Sequence, residues 1–201
     1  MAATATPYGF RAVNLIGGLP FAGSTRQIKI ASGYGTNIFN GSIVTIAATG
    51  TIEIVTTNGD NSTGFPAGTI GIFVGCRYTD PSTSQLTFNQ RWPTGTVASD
   101  AMAYIVDDPN AVFQAQADGA VTQTDLGNNT YLAAVQSTST GSTINGNSTS
   151  ALTSTTAVTS GMAFRIVDFV DGPDSAIGDA FTDLLVKFNP DSHSYLNKTG
   201  I

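Results

Sequence analysis

Short apolar segments separated by turn residues are the feature of this sequence that most restricts its fold. From position 27 onward, these segments run for four to ten residues, and Gly, Asn, Asp or Pro separate them. A two-residue period is typical of strands, and no long segment keeps the 3.6-residue period of a helix. The predicted strands are Gln27–Ile30, Thr36–Phe39, Ser42–Ala47, Thr51–Thr57, Thr69–Tyr78, Gln85–Phe88, Ala101–Val106, Ala111–Ala117, Met162–Val170 and Leu184–Phe188. This spacing predicts an all-β fold, either a β-sandwich or a small β-barrel.

Local patterns refine this prediction at three places. Asn40-Gly41 separates two predicted strands and indicates a two-residue hairpin, because both residue types accept a positive φ. The segment Thr69–Tyr78 is the most apolar strand and is expected at the centre of a sheet. Residues 122–126 predict one helical turn, with Asp125 where the helix dipole favours a negative charge.

Charge is scarce and net negative, which excludes several classes of partner. Charged residues make up 11% of the chain, against about 25% in typical soluble domains. Few charges are therefore left to protect sheet edges, so we expect those edges to have partners. With a formal net charge of −6, the chain is not expected to bind nucleic acid, where affinity comes from neutralising phosphates. The sequence has no basic leader and no run of about 20 apolar residues, so we expect synthesis in a cytoplasm and no membrane partner.

Residues 1–23 differ in pattern from the rest of the chain, which we interpret as a single β domain over residues 24–201. The first segment mixes Gly and Pro with apolar residues and predicts an extended N-terminal arm, whose apolar side chains need cover from elsewhere. That cover is either the arm's own domain or a neighbouring subunit, and we favour the neighbour. The candidate interface residues are Tyr8, Phe10, Val13, Leu15, Ile16 and Phe21, with Arg11 and Arg26 as polar anchors.

Residues 136–160 are rich in Ser, Thr, Gly and Asn, and they interrupt the strand pattern. This composition is too polar for a core, so it predicts a long polar surface excursion with one weak strand around residues 151–153.

A search for catalytic and metal-binding residues finds no convincing constellation. The only imidazole is His193, in a C-terminal segment expected to be mobile and solvated, so a hydrolytic triad is not expected. The only cysteine, Cys76, is expected to pack in the core, and one His with one Cys cannot supply a zinc site. Asp107-Asp108 is the weak remaining case for a glycoside hydrolase, although adjacent strand residues point to opposite faces.

A second group of acids surrounds Gly172. Asp168, Asp171, Asp174 and Asp179 could offer oxygens to calcium, but their spacing does not match an EF-hand loop, and a carboxylate-capped turn is favoured. We therefore expect no enzyme activity, no cofactor and no metal.

Trp92 is the remaining candidate, in Arg91-Trp92-Pro93. It could be a platform that stacks on a sugar or an anchor at a protein interface, since Trp and Arg are frequent in interface hot spots. A place at the rim of the core is the equally weighted alternative.

Seven segments, taken in order and spacing, form a recognisable set: Tyr8–Val13, Gly41–Val44, Gly71–Gly75, Tyr104–Gln116, Asp125–Asn128, Phe164–Asp171 with Pro173-Asp174, and Val186–Asn189. Together they resemble a family of small virion proteins of tailed double-stranded DNA phages, some of which are capsid cement or decoration proteins. The resemblance extends over nearly the whole chain. Its most specific part is the Asp-Asp-Pro run ending in Phe113 and Gln116. Ala12 stands where the family commonly has Pro and Ser42 where an acid is common, which leaves only local arm and turn geometry in doubt.

The resemblance implies a structural protein rather than an enzyme. Its expected partner is the major capsid protein, on the outer surface of the assembled head where capsid subunits meet, and its expected oligomeric state is a homotrimer. An alternative from the residues themselves is a glycan-binding adhesin module on the virion surface, using Trp92 and the excursion at residues 136–160.

Overall fold

The computed structural model describes residues 4–159 and 161–201, whose regular structure is almost entirely β-strand. These residues form thirteen strands: β1 Arg11–Leu15, β2 Arg26–Lys29, β3 Ile38–Phe39, β4 Ser42–Ile46, β5 Ile52–Ile54, β6 Thr69–Thr79, β7 Leu86–Asn89, β8 Arg91–Trp92, β9 Met102–Val106, β10 Ala111–Gln116, β11 Asn129–Thr130, β12 Phe164–Phe169 and β13 Asp183–Phe188. The helices described are two short 3-10 turns, Gln123–Asp125 and Pro190–Ser192. No helix in this part of the chain is long and apolar enough to cross a membrane. The all-β prediction is confirmed.

The strands form two larger antiparallel sheets and one small one. The first sheet has the order β1-β10-β13-β12-β11. The second sheet has the order β2-β9-β6-β4-β5, with β7 added beside the C-terminal half of β6. Ile30, just after β2, forms a bridge with Ile52 in β5, so the two edges of the second sheet meet and the sheet curls. The small sheet pairs β3 with β8.

Two hydrophobic cores follow from this arrangement. One contains residues of both large sheets, among them Phe113 and Phe188 of the first and Ile43 and Ile72 of the second. This is the sandwich core, and in β13 it receives every second side chain, as strand geometry requires. The other core fills the curl of the second sheet, and its aromatic members are Phe73, Tyr78 and Trp92.

The central position expected for Thr69–Tyr78 is confirmed, because β6 pairs with β4, β7 and β9. The helical turn at residues 122–126 is confirmed as well. The Asp125 carboxylate accepts a hydrogen bond from the Thr122 backbone N–H at 2.9 Å. Cys76 is buried and its thiol is free, and burial raises its pKa to about 12.

The hairpin predicted at Asn40-Gly41 is wrong. β3 pairs with β8, whereas β4 pairs with β5 and β6, so the two residues connect different sheets. Gly41 has a φ of +89°, and a Cβ there would lie 2.9 Å from the backbone nitrogen of Phe10. Glycine is therefore needed for a close crossing with the N-terminal segment rather than for a hairpin.

Candidate interface surfaces

The N-terminal segment folds onto its own domain, which corrects the expectation of a detached arm laid over a neighbour. β1 is a strand of the first sheet and pairs with β10. Before it, the Gln116 side chain holds the chain: its Oε1 accepts from the Thr6 N–H at 2.8 Å and its Nε2 donates to the Thr4 carbonyl at 3.1 Å. Residues 4–23 therefore lie on their own domain, which was the alternative to cover by a neighbouring subunit. Residues 1–3 lie outside the described part.

Phe10 belongs to the core and not to an exposed interface. Its side chain is 1% exposed and stacks on Phe164 with ring centroids 5.0 Å apart. Its backbone N–H donates to the Gly41 carbonyl at 3.0 Å. The sequence correctly indicated that Phe10 needs to be buried, but the residues that bury it belong to the same chain.

Tyr8 and Arg11 form a local pair at the start of β1. The Arg11 guanidinium carbon lies 4.3 Å from the centroid of the Tyr8 ring, a distance suited to a cation–π interaction. Burial raises the pKa of the Tyr8 hydroxyl, and the negative charge of Asp183 raises it further. Burial also raises the pKa of Asp183 itself, which accepts a hydrogen bond from Gln114 at 3.3 Å.

The remaining apolar residues of the segment divide into two groups. Leu15 and Phe21 are partly buried and pack against the sandwich core. Val13 and Ile16 are 43% and 45% exposed, and Leu19, which the sequence analysis missed, is 66% exposed. We call Val13, Ile16 and Leu19 the β1 edge patch. Val13 lies where the pairing register between β1 and β10 shifts, and such bulges are frequent on edge strands.

Arg26 is fixed within its own domain. Its Nε lies 2.8 Å from Asp107 Oδ2, and the Tyr195 hydroxyl donates to the same oxygen at 2.8 Å. Asp108 accepts from the Asn110 backbone N–H at 2.8 Å, as a turn-forming Asp does. The two neighbouring acids thus serve separate local contacts, an arrangement unlike a pair of glycosidase carboxylates.

Trp92 lies in the second core, so its use as a sugar platform is corrected. Its side chain is 0% exposed, and its Nε1 donates to the Tyr34 carbonyl at 3.1 Å. The ring packs edge-on against Tyr78, with centroids 5.5 Å apart. Because the indole is fully buried and its N–H is already hydrogen-bonded, it cannot stack on a ligand or anchor a partner chain.

His193 also differs from expectation, since the predicted solvated tail residue is 1% exposed. The ring packs between Phe188 and Tyr195, with centroid distances of 5.5 and 5.3 Å. Burial lowers the pKa of this imidazole, against the opposing influence of the Asp107 and Asp108 charges.

The polar excursion at residues 136–160 is only partly a surface element. Gln136, Ser148, Ser150, Leu152 and Thr153 are buried. Leu152 forms isolated bridges with strand-flanking residues 117 and 132, in place of the weak strand predicted there. Ser160 lies outside the described residues.

Within residues 4–159 and 161–201, no three His, Cys, Asp or Glu side chains converge as metal ligands would. In the acid-rich turn, Asp179 accepts from the Ala176 backbone N–H at 3.1 Å, which is the contact of a carboxylate-capped turn. Asp168 lies in β12 and accepts from the N–H of the next strand residue, Phe169, at 2.9 Å.

A second exposed surface lies around β7 and was missed from the sequence. Leu86 and Phe88 are 54% and 67% exposed and point to the same side of this strand. Phe88 lines two adjacent depressions of about 250 and 340 Å³. The sequence predicted a strand here, but it could not predict that Leu86 and Phe88 would be exposed. No other segment of the described chain packs over them.

No protein-family model, curated protein or solved structure matches this chain.

Proposed function

We propose that this chain is a structural protein of a tailed-phage virion, a capsid cement or decoration protein. It binds the major capsid protein on the outer surface of the assembled head, at subunit junctions, and stabilises the shell. The observation that carries the proposal is the β1 edge patch: an edge strand and its following turn expose Val13, Ile16 and Leu19 to solvent.

An edge strand is a natural place for one protein to bind another. β1 is the terminal strand of the first sheet, so one side of its backbone faces away from the sheet. At the end of β1 this outer side is covered by the following turn, where Asn14 bridges Pro20 and the Leu15 N–H donates to the Leu19 carbonyl at 2.8 Å, which leaves the first part of the strand as the open edge. Soluble proteins usually protect such edges with charged side chains. Here Arg11 is the only charged residue of β1, and the turn that follows it carries none. Exposed apolar residues beside a sparsely charged edge favour burial against a partner.

Binding only to the assembled lattice would stabilise it by mass action, as a ligand stabilises the state to which it binds. In a homotrimer, three sites of modest affinity act together, because binding of one subunit raises the effective concentration of the other two near their sites. The negative net charge of −6 agrees with a partner that is protein and not the packaged genome. Synthesis in the host cytoplasm, followed by attachment to the completed head, fits the same scheme.

The test is a binding assay with heads of the phage that encodes the protein, prepared without it. The double variant Val13→Lys, Ile16→Lys places two charges in the β1 edge patch without touching the core. We expect its occupancy on heads to fall at least tenfold at a fixed protein concentration. The matched control is Val158→Lys, which changes another exposed valine, 87% accessible, in a different loop.

Occupancy is read by gel densitometry of purified particles and by electron microscopy. The control should occupy heads as the unmodified protein does. Equal occupancy for the double variant and the control would contradict the role of the β1 edge patch. An unmodified protein that binds no head at all would contradict the proposed function as a whole.

A further inference from the structure

The larger depression beside Phe88 has walls from two parts of the chain that are distant in sequence. One wall is the connection from β7 to β8, and the other is the tip of the polar excursion. Its lining residues are Phe88, Asn89, Gln90, Arg91, Thr143, Ile144, Asn145 and Gly146. Its volume of about 340 Å³ falls at the small end of the range for ligand sites, roughly 300–1,000 Å³.

The wall formed by the excursion tip is held in place by backbone hydrogen bonds and by contact with the other wall. The Gly146 carbonyl accepts from the Asn40 N–H at 2.9 Å, and its own N–H donates to the Ser142 carbonyl at 2.8 Å. Gly146 also packs closely on Gln90, because a Cβ at position 146 would lie 2.9 Å from the Gln90 Cβ. The depression is therefore formed before any ligand arrives, which lowers the entropic cost of binding.

The side chains of the lining combine an exposed aromatic ring and an exposed isoleucine, Ile144, which is 97% accessible, with several polar groups. Phe88 is 67% exposed. Asn89 Oδ1 accepts from the Arg91 backbone N–H at 3.1 Å, and Asn145 Oδ1 accepts from the Asn147 N–H at 3.0 Å. These contacts orient both amides and leave their NH₂ groups as donors for a ligand. No carboxylate belongs to the lining.

We infer that this depression binds a saccharide, an activity that goes beyond the proposed attachment to the capsid and does not depend on it. A pyranose ring offers an apolar C–H face and a rim of hydroxyl groups that both donate and accept. An aromatic ring presents a negative face to such C–H groups. Side-chain amides, a guanidinium and a hydroxyl pair with the rim.

The size and polarity of the depression favour a sugar over a protein segment. Protein hot spots are well packed apolar pockets from which water is excluded. Here five of the eight lining residues carry polar side chains, and Phe88 is the only aromatic one. This composition suits a ligand of one or two rings.

The test starts with the purified full-length protein on an array of neutral and acidic oligosaccharides, followed by calorimetry with the best ligand. We expect Phe88→Ala to weaken binding at least tenfold. Leu86→Ala is the matched control, since Leu86 is exposed on the same side of β7 but does not line the depression. It should bind as the unmodified protein does. Asn145→Ala, at the opposite wall, should also weaken binding.

Two outcomes would overturn the inference. The first is no binding to any oligosaccharide at millimolar concentration; if Phe88→Ala then also loses occupancy on heads, the depression is a protein-docking site. The second is an equal effect of Leu86→Ala and Phe88→Ala on sugar binding. Because the array uses isolated protein, failure here leaves the capsid assay unaffected.

Discussion

The side-chain amide of Gln136 forms hydrogen bonds with both backbone groups of Ile43. Its Oε1 accepts from the Ile43 N–H at 2.9 Å, and its Nε2 donates to the Ile43 carbonyl at 3.0 Å. The same Nε2 donates to the Val55 carbonyl at 3.2 Å. The Ile43 carbonyl also accepts from the Val55 backbone N–H at 3.1 Å. The amide is therefore the partner on which two buried backbone groups depend, the Ile43 N–H and the Val55 carbonyl, which explains why a polar residue of the excursion is buried.

Replacing Gln136 by Leu should therefore destabilise the fold strongly. The variant keeps the volume nearly unchanged but leaves two buried backbone groups without partners, the Ile43 N–H and the Val55 carbonyl, at a cost of about 1–3 kcal/mol for each unsatisfied group. We expect the free energy of unfolding, measured by urea denaturation, to fall by about 2 kcal/mol or more. Gln123→Leu, at an exposed position, is the control and should change it by less than about 0.5 kcal/mol. A loss at Gln136 no larger than in the control would contradict this role.

Removal of residues 1–23 should unfold or severely weaken the domain. The deletion takes away the edge strand β1 and the Phe10 side chain, which packs in the sandwich core against Phe164. Phe10→Ala alone should cost about 3–5 kcal/mol. Val13→Ala, on the exposed part of the same segment, is the control and should be close to neutral. A truncated protein with an undiminished thermal transition in circular dichroism would show that the segment is dispensable for folding.

The stability of the protein should decline as pH falls below about 6.5 because of His193. Burial lowers the folded-state pKa of this imidazole, whereas the unfolded chain titrates at about 6.5. The unfolded state therefore takes up a proton first, so the stabilisation is complete above that pH and is lost as pH falls towards the folded-state pKa. The charges near the ring are Asp107, Asp108 and Lys187.

The measurement is the free energy of unfolding at pH 7.5, 6.5 and 5.5 for the unmodified protein and for His193→Leu. His193 is the only histidine of the chain, so the variant removes the only imidazole titration. Asp183, whose pKa burial raises, contributes in the opposite direction, losing its stabilisation as pH rises. The difference between the two proteins isolates His193, and parallel pH profiles would contradict the prediction.

The single tryptophan gives a direct check on the second core. Trp92 is fully buried and paired with the Tyr34 carbonyl, so its emission should lie at shorter wavelength in the folded protein than in urea. Iodide, which does not enter a packed core, should quench it only after unfolding. Trp92→Ala should cost about 3–5 kcal/mol of stability. Strong iodide quenching of the folded protein would place the indole at the surface.

The candidate surfaces were only partly recognisable from the sequence. Val13 and Ile16 were identified as apolar residues in a segment without a core of its own, and both are exposed. Phe10 was chosen by the same reasoning and is buried, and so is Trp92, which was chosen as a possible interface anchor or sugar platform, with a place at the rim of the core as the alternative. Leu19 and Phe88 were missed, because the sequence pattern says that a residue is apolar but not whether another part of the chain covers it.

The sequence by itself determined the all-β class, the central place of β6 and the helical turn at Gln123–Asp125, since these depend on the two-residue period and on turn and capping residues that are neighbours in the chain. Tertiary structure alone decided which segments are buried and which strands pair. The Gln136–Ile43 contact joins residues 93 positions apart, and the Gln116–Thr6 contact joins residues 110 apart. Burial is a property of what packs over a side chain, and contacts across such distances leave no periodic trace in the sequence near either residue.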